Sequence, residues 1–149
     1  MNLPLARASL ARTASAAVLA SAAFAAVLPG VANAVPGDRS VLATVRNDSS
    51  VRLNLMESDV AEGRWTTEPP TAIKSFKTAR FGSMSAEDEG GTEATVVYRS
   101  RFGDVEIYWD HPWVRDSQIT CIPPDELMCD TVVTGSAKSK VTFTLSDAA

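Results

Sequence analysis

Hydrophobic and polar residues alternate along several short stretches of this chain, with turn-forming residues between the stretches. The clearest pair covers residues 92–99 and 104–110, which a Ser-Arg-Phe-Gly segment joins. A period of two places successive side chains on opposite faces of a strand, so Val96 and Ile107 each sit within an apolar face. We therefore predict a β-hairpin over residues 92–110.

The same alternation occurs earlier, in residues 40–46 and 51–55, on either side of the segment Asn-Asp-Ser-Ser at 47–50. Asn, Asp and Ser favour turns because their side chains hydrogen-bond to nearby backbone groups. This pattern predicts another β-hairpin. Residues 56–68 are expected to form a loop or a short irregular strand, ended by Pro69 and Pro70, which cannot continue a ladder.

The remaining segments are shorter. Residues 72–81 are predicted to form an edge strand protected by lysines, and further strands are expected at 119–121, 131–134 and 140–146. No stretch of ten or more residues has the 3.6-residue period of a helix. Short alternating strands separated by turns predict an all-β protein, a single antiparallel β-sandwich.

The first 34 residues have the pattern of a secretory signal peptide. Arg7 and Arg12 precede an alanine-rich apolar run, a Pro-Gly pair breaks that run, and Ala32-Asn33-Ala34 matches a cleavage site. The run is shorter than a membrane span requires. We predict cleavage after Ala34, secretion, and a folded domain over residues 35–149.

The charge balance of the predicted domain limits its partners. All 18 acidic residues of the chain fall in residues 35–149, with 12 of the 14 basic residues, so the domain carries a net charge of −6. Affinity for nucleic acid depends on neutralising phosphates with Lys and Arg. The composition therefore disfavours nucleic acid as a partner but leaves neutral or zwitterionic lipid open.

Cys121 and Cys129 are the only cysteines, and an even, closely spaced pair in a secreted protein predicts a disulfide. A zinc site is disfavoured, because the single histidine, His111, cannot complete a four-ligand set. The sequence also lacks a GxSxG motif, so we expect no enzyme activity, no metal and no cofactor.

Residues 105–115 read VEIYWDHPWVR and contain the densest group of aromatic residues in the chain. A strand ending at Pro112 would present these aromatics at the start of a loop, with Trp109 directed inward and Trp113 outward by alternation. Amphipathic aromatics suit a membrane–water interface, and their faces attract ammonium head groups. This pattern favours lipid binding.

Four segments, in order, resemble the aegerolysin family. They are the first predicted hairpin with its Asn-Asp-Ser-Ser turn, the segment Glu-Gly-Arg-Trp at 62–65, the acidic and glycine-containing run at 85–92, and Tyr-Trp-Asp-His-Pro-Trp at 108–113. The last is similar to the family's YWD-x-PW signature. The chain departs from the family pattern at His111 and Val114, where members often carry Cys and Gly.

The resemblance implies a small β-sandwich that recognises sphingolipid or ethanolamine-phospholipid membranes, in some members with a larger perforin-like partner that forms the pore. The lipid contacts that it implies are Trp65, Glu89 and Trp113, with Tyr108 and Trp109 around them and Arg115 near the position of a family lysine. Two other functions stay open. The ring closed by Cys121–Cys129, with its Pro-Pro pair, could be a protease-inhibitor loop, and aromatic loops also suit a carbohydrate-binding sandwich.

Overall fold

The computed structural model of the protein describes residues 39–88 and 90–149, so the predicted signal peptide and Glu89 lie outside the described residues. The described chain is built from β-strands, and none of its segments is a helix that could cross a membrane. The strands are β1 (Ser40–Asn47), β2 (Leu53–Glu62), β3 (Arg64–Thr67), β4 (Ala72–Ile73), β5 (Lys77–Met84), β6 (Thr92–Arg99), β7 (Asp104–His111), β8 (Gln118–Ile122), β9 (Leu127–Thr134) and β10 (Lys138–Asp147).

The strands form two five-stranded sheets, in agreement with the predicted β-sandwich. Sheet A has the order β3-β5-β1-β10-β9, and sheet B has the order β4-β2-β6-β7-β8. Every neighbouring pair is antiparallel except β1 and β10, which run parallel with Ser40 opposite Lys138. β1 and β10, the first and last described strands, are neighbours in sheet A and run in the same direction. The sandwich is therefore not purely antiparallel.

The core lies between the sheets and is filled by the alternate residues that the sequence pattern indicates. Aromatic contacts across the core join Phe81 of sheet A to Tyr98 and Trp109 of sheet B, with ring centroids 6.4 and 6.2 Å apart. Burying such side chains removes large apolar areas from water, which is the main stabilising contribution to a domain of this size.

The predicted hairpin at residues 92–110 is confirmed, since β6 and β7 pair from Thr92–His111 to Arg99–Asp104. The predicted hairpin of residues 40–46 with 51–55 is wrong. β1 lies in sheet A and β2 in sheet B, so the intervening turn crosses the core instead of joining neighbours. Asn47 organises this crossing, because its buried amide donates to the carbonyl oxygens of Val51 (2.7 Å) and Lys74 (3.2 Å).

Two further segments differ from the prediction. Residues 72–81 divide into the short edge strand β4 and the strand β5, and β5 lies inside sheet A between β3 and β1. Residues 56–68 are mostly strand, because β2 continues to Glu62 and β3 starts at Arg64. Gly63 separates the two with a φ of +94°, where a Cβ would lie 2.3 Å from the Met84 carbonyl oxygen, so this turn requires glycine.

The predicted disulfide is present, and it connects the two sheets. Cys121 of β8 and Cys129 of β9 are bonded, with their Cα atoms 6.2 Å apart. Both strands are at sheet edges, so the bond closes one open side of the sandwich. The ring that it closes contacts the domain at one side, since Leu127 is buried and the Ala148 N–H donates to the Glu126 carbonyl oxygen at 2.9 Å.

Candidate functional site

The loops at one end of the sandwich hold Trp113 and Arg115, two of the six predicted lipid contacts. This end, called the Trp113 end below, consists of residue 39 before β1, residues 85–91 except 89 before β6, residues 112–117 after β7, and residues 135–137 before β10. The strand registers bring these segments together, because Ser40 lies opposite both Lys138 and Met84. Sequence-distant loops thus meet at one surface.

Trp113 lies at this surface with a cation on its ring. The Arg39 guanidinium carbon is 5.1 Å from the ring centroid, within the range of a cation–π interaction. Arg39 Nη2 also donates to the Trp113 carbonyl oxygen at 3.0 Å, which fixes the guanidinium beside the indole. Trp113 is half-buried, so the predicted outward orientation holds only in part.

His111 anchors the loop that carries Trp113. The His111 ring is buried, and its Nε2 lies 3.1 Å from the Ala137 carbonyl oxygen. Because a carbonyl oxygen only accepts, Nε2 carries the proton and Nδ1 of the neutral ring accepts from the Ser117 hydroxyl. Burial lowers the pKa of His111, a change that the Ala137 carbonyl opposes and the Arg39 charge reinforces.

An ion pair spans the base of the same loop. Arg115 Nη2 lies 2.8 Å from Asp110 Oδ2, and the two side chains are 63% and 5% exposed. The other carboxylate oxygen, Oδ1, is buried and has no hydrogen-bond partner among the described residues. Leaving a buried carboxylate oxygen without a partner is costly, and the contact of Oδ2 with Arg115 offsets part of that cost.

The acidic run packs directly against this loop. A Cβ at Gly91 would lie 2.8 Å from the Cα of Pro112, so only glycine permits this close approach. The Gly91 N–H donates to Glu62 Oε1 at 2.7 Å, which ties the run to the end of β2. A cavity of about 250 Å³ lies beside this contact, lined by Glu62, Glu87 and glycine backbone. The fold therefore places an acidic cavity next to the Trp113 loop.

Trp109, which the resemblance placed among the lipid contacts, is a core residue, and that prediction is corrected. Its side chain is 0% exposed, and its indole N–H donates to Ser83 Oγ at 2.9 Å. Trp65 of β3 meets it edge-on, with ring centroids 5.9 Å apart. Trp65 lies on the edge strand β3 and is half-buried. One part of its side chain packs against the core, and another part is exposed to solvent. The predicted inward orientation of Trp109 is confirmed.

Tyr108 lies on the outer face of sheet B, and its hydroxyl donates to Glu93 Oε1 at 2.8 Å. Burial, and next the hydrogen bond to Glu93, raise the pKa of Tyr108 to about 12. The charges of Asp110 and Arg115 also reach the Tyr108 hydroxyl. Tyr108 and Arg115 therefore belong to one polar patch that borders the Trp113 end.

The structure thus brings Trp113, Arg115 and Tyr108 into neighbouring positions around Asp110, whereas Glu89 lies outside the described residues. Sequence reasoning missed Arg39, which is 74 residues from its contact at Trp113. No local pattern marks a contact of that separation. The Asp110–Arg115 ion pair could have been predicted from the sequence, because these opposite charges flank the segment His-Pro-Trp-Val.

Comparison with known sequences gives little information beyond the fold. No family model matches the chain. An uncharacterized protein of Dictyostelium discoideum is 28% identical over 119 residues, which cover 78% of this chain and 11% of that protein. The chain thus spans about a tenth of the length of this curated relative. Membership in the aegerolysin family stays a prediction.

Two solved structures are similar to the sandwich. The lipid-binding protein Nakanori gives a TM-score of 0.61 at 14% identity, over 72% of this chain and 70% of its own. IP-1A from Alcaligenes faecalis also gives 0.61, at 15% identity, over 77% of this chain and 95% of its own. At these identities the likeness establishes the β-sandwich fold.

Proposed function

We propose that the protein is a lipid-binding module that attaches to membranes through its Trp113 end. The observation that carries this proposal is the Arg39 guanidinium on the Trp113 ring. This contact supports the proposal because it places a cation of the protein itself on this ring face. The ammonium group of a phosphocholine or phosphoethanolamine head group has the same charge and binds aromatic faces by the same electrostatic attraction.

The charges around Trp113 favour a cationic head group. Glu62 and Glu87 line the cavity of about 250 Å³ next to the Trp113 loop, whereas the Asp110 carboxylate is already paired with Arg115. A choline or ethanolamine moiety is small enough to occupy this cavity while its phosphate stays near the exposed Arg115. A half-buried indole at the same surface suits the membrane interface, where tryptophan is enriched.

A solved structure with a similar fold supports the proposal, because Nakanori is described as a lipid-binding protein. The family resemblance narrows the proposed lipids to sphingolipid or ethanolamine-phospholipid membranes. It also adds a proposed role, in which the chain is the targeting component of a cytolysin and a separate perforin-like protein forms the pore.

A vesicle panel tests lipid binding. The protein should sediment with sphingomyelin or phosphatidylethanolamine vesicles, and soluble phosphocholine or phosphoethanolamine should compete with the matching vesicle. Vesicles of phosphatidylglycerol, whose head group lacks a cation, are the matched control and should retain less protein. Equal retention by phosphatidylglycerol, or no retention by any vesicle, would contradict the proposal.

The cytolysin role has a separate test. The protein alone should bind dye-loaded sphingomyelin vesicles without releasing the dye, because the proposed pore belongs to the partner. Dye release by the chain alone would overturn this division of labour while leaving lipid binding intact.

Secretion with cleavage after Ala34 is also part of the proposal. The disulfide of Cys121 and Cys129 agrees with export, since such bonds persist in oxidising compartments. Mass spectrometry of the protein recovered from culture medium should find Val35 as its first residue. Recovery of the intact amino terminus, or of cell-retained protein only, would contradict it.

A further inference from the structure

A second cavity lies at the other end of the sandwich. It has a volume of about 470 Å³, and its lining includes Arg52, Arg99 and Arg101. The polar residues Ser50, Asn54 and Ser100 complete what we call the arginine pocket. Arg101 lies in the turn before β7, and Trp113 lies in the loop after β7. The full length of this eight-residue strand therefore separates the arginine pocket from the Trp113 end. An eight-residue strand spans roughly 26 Å.

The concentration of arginine in this pocket is unusual for a chain whose predicted domain carries a net charge of −6. None of the described residues that line the cavity is acidic. The nearest carboxylates shown by contacts are Asp104, which pairs with Arg99, and Asp147, which accepts from the Ser50 N–H at 3.0 Å. Three guanidinium groups thus face two carboxylates, leaving a local excess of positive charge.

The arginines are held in place while part of each guanidinium stays available. Arg99 uses Nε and Nη2 on the two oxygens of Asp104, at 2.7 and 2.9 Å. Arg52 uses Nε on Asn54 Oδ1 at 2.9 Å, and Arg101 lies 4.5 Å from the centroid of the Phe102 ring. Asp104 orients Arg99 through both of its oxygens, which lowers the entropic cost of binding a ligand there, and Arg52 and Arg101 have one contact each.

We propose that the arginine pocket binds a phosphomonoester, either as a soluble small molecule or as the head group of an anionic lipid. Guanidinium groups match the oxygens of a phosphate with parallel, charge-assisted hydrogen bonds. The volume of about 470 Å³ exceeds what bare phosphate fills and falls within the range of small-molecule sites. The ligand therefore carries an organic group as well as a phosphate.

This site is independent of the proposed function of the Trp113 end. Its residues belong to the β1–β2 crossing, the start of β2, the last residue of β6 and the β6–β7 turn, none of which contributes to the Trp113 loop. A protein that binds different ligands at opposite ends could connect a membrane to a phosphorylated molecule, or one membrane to another.

Calorimetric titration of the full chain with glycerol 3-phosphate at constant ionic strength tests the proposal, with glycerol as the uncharged probe. We expect saturable binding of the phosphate ester and none of glycerol. The double variant Arg52→Gln/Arg101→Gln should weaken binding about tenfold or more, because it removes two charged donors. The double variant Arg80→Gln/Lys140→Gln removes the same charge from exposed positions of sheet A and should bind within about twofold of the parent.

Vesicles identify the source of the phosphate. In a Trp113→Ala background, sedimentation with phosphatidic acid vesicles that depends on Arg52 and Arg101 would assign the pocket to a lipid head group. Binding of glycerol 3-phosphate without such sedimentation would assign it to a soluble ester. The proposal is overturned if neither probe binds, or if the control double variant loses as much binding as Arg52→Gln/Arg101→Gln.

Discussion

The Arg39 guanidinium lies 5.1 Å from the centroid of the Trp113 ring and donates to the carbonyl oxygen of the same residue. Arg39, which directly precedes β1, therefore occupies the ring face that the proposed lipid head group would use. A ligand cation and Arg39 compete for one aromatic surface. In the proposed function, the lipid ammonium group must displace the Arg39 guanidinium from the Trp113 ring before it can bind there.

Replacing Arg39 with glutamine should strengthen binding to sphingomyelin vesicles. The substitution removes the internal cation, and the ligand no longer has to displace an interaction of about 0.5–1 kcal/mol. We expect the apparent affinity to rise about two- to fivefold in a sedimentation titration. Arg80→Gln, an exposed arginine of β5, controls for the change in net charge. Weaker binding of Arg39→Gln would instead show that Arg39 positions Trp113 for the lipid.

His111 should make the domain less stable in mild acid. Burial lowers the pKa of His111 in the folded protein, so the unfolded chain binds the proton more readily. The neutral ring's contribution is complete above the unfolded pKa of about 6.5 and is lost as the pH falls toward the lower folded value. The urea midpoint should therefore decrease between about pH 7.5 and about pH 5.5.

His111→Gln keeps one donor and one acceptor but does not titrate in this range. Its urea midpoint should be lower than that of the parent near neutral pH and should change less between the two pH values. An equal decrease in both proteins would assign the acid sensitivity to the carboxylates instead.

Trp109→Phe should reduce stability without abolishing lipid binding. The variant loses the hydrogen bond to Ser83 and leaves a small void in the core, which should cost about 1–3 kcal/mol in the free energy of unfolding. Chemical denaturation measures this loss, and vesicle sedimentation at low temperature should stay within about twofold of the parent. Loss of sedimentation by a folded Trp109→Phe protein would restore Trp109 as a direct lipid contact.

The disulfide between Cys121 and Cys129 should contribute to the stability of the domain but not to lipid binding. Closing a ring of this size contributes about 2.5 kcal/mol in the chain-entropy model, and here the bond also joins β8 to β9 across the two sheets. The double variant Cys121→Ser/Cys129→Ser should lose about that much in the free energy of unfolding and still bind vesicles. Unchanged stability would mean that the sheet edges are held by other contacts.

Local sequence patterns predicted most strands and the β6–β7 hairpin, because alternation and a tight turn are both encoded within about twenty residues. The same alternation led to the wrong prediction that β1 and β2 form a hairpin, whereas they lie in different sheets. Alternation shows which face of a strand is buried, but it does not show whether the next strand lies beside it or across the core. The parallel pairing of β1 with β10 has no local signal either, since Ser40 and Lys138 are almost a hundred residues apart.

The candidate site shows the same limit. The aromatic segment predicted a candidate site at the end of the sandwich where Trp113 and Arg115 lie, and alternation predicted the burial of Trp109, which the structure confirms. The electrostatic partners of Trp113 were not predictable, because Arg39 reaches it only through the assembled sheet A. The acidic run lies beside Pro112 because Gly91 lacks a side chain, a contact that depends on the final fold.

Sedimentation of Trp113→Ala with sphingomyelin vesicles tests the central claim most directly. Phe76→Ala is the matched control, because Phe76 is an aromatic residue that is 68% exposed and follows β4 at the other end of the sandwich. We predict that Trp113→Ala stays folded and loses about tenfold or more in affinity, with a decrease in unfolding free energy of only about 1 kcal/mol, while Phe76→Ala binds like the parent. Parent-like binding by Trp113→Ala, or an equal loss in both variants, would contradict a membrane site at the Trp113 end.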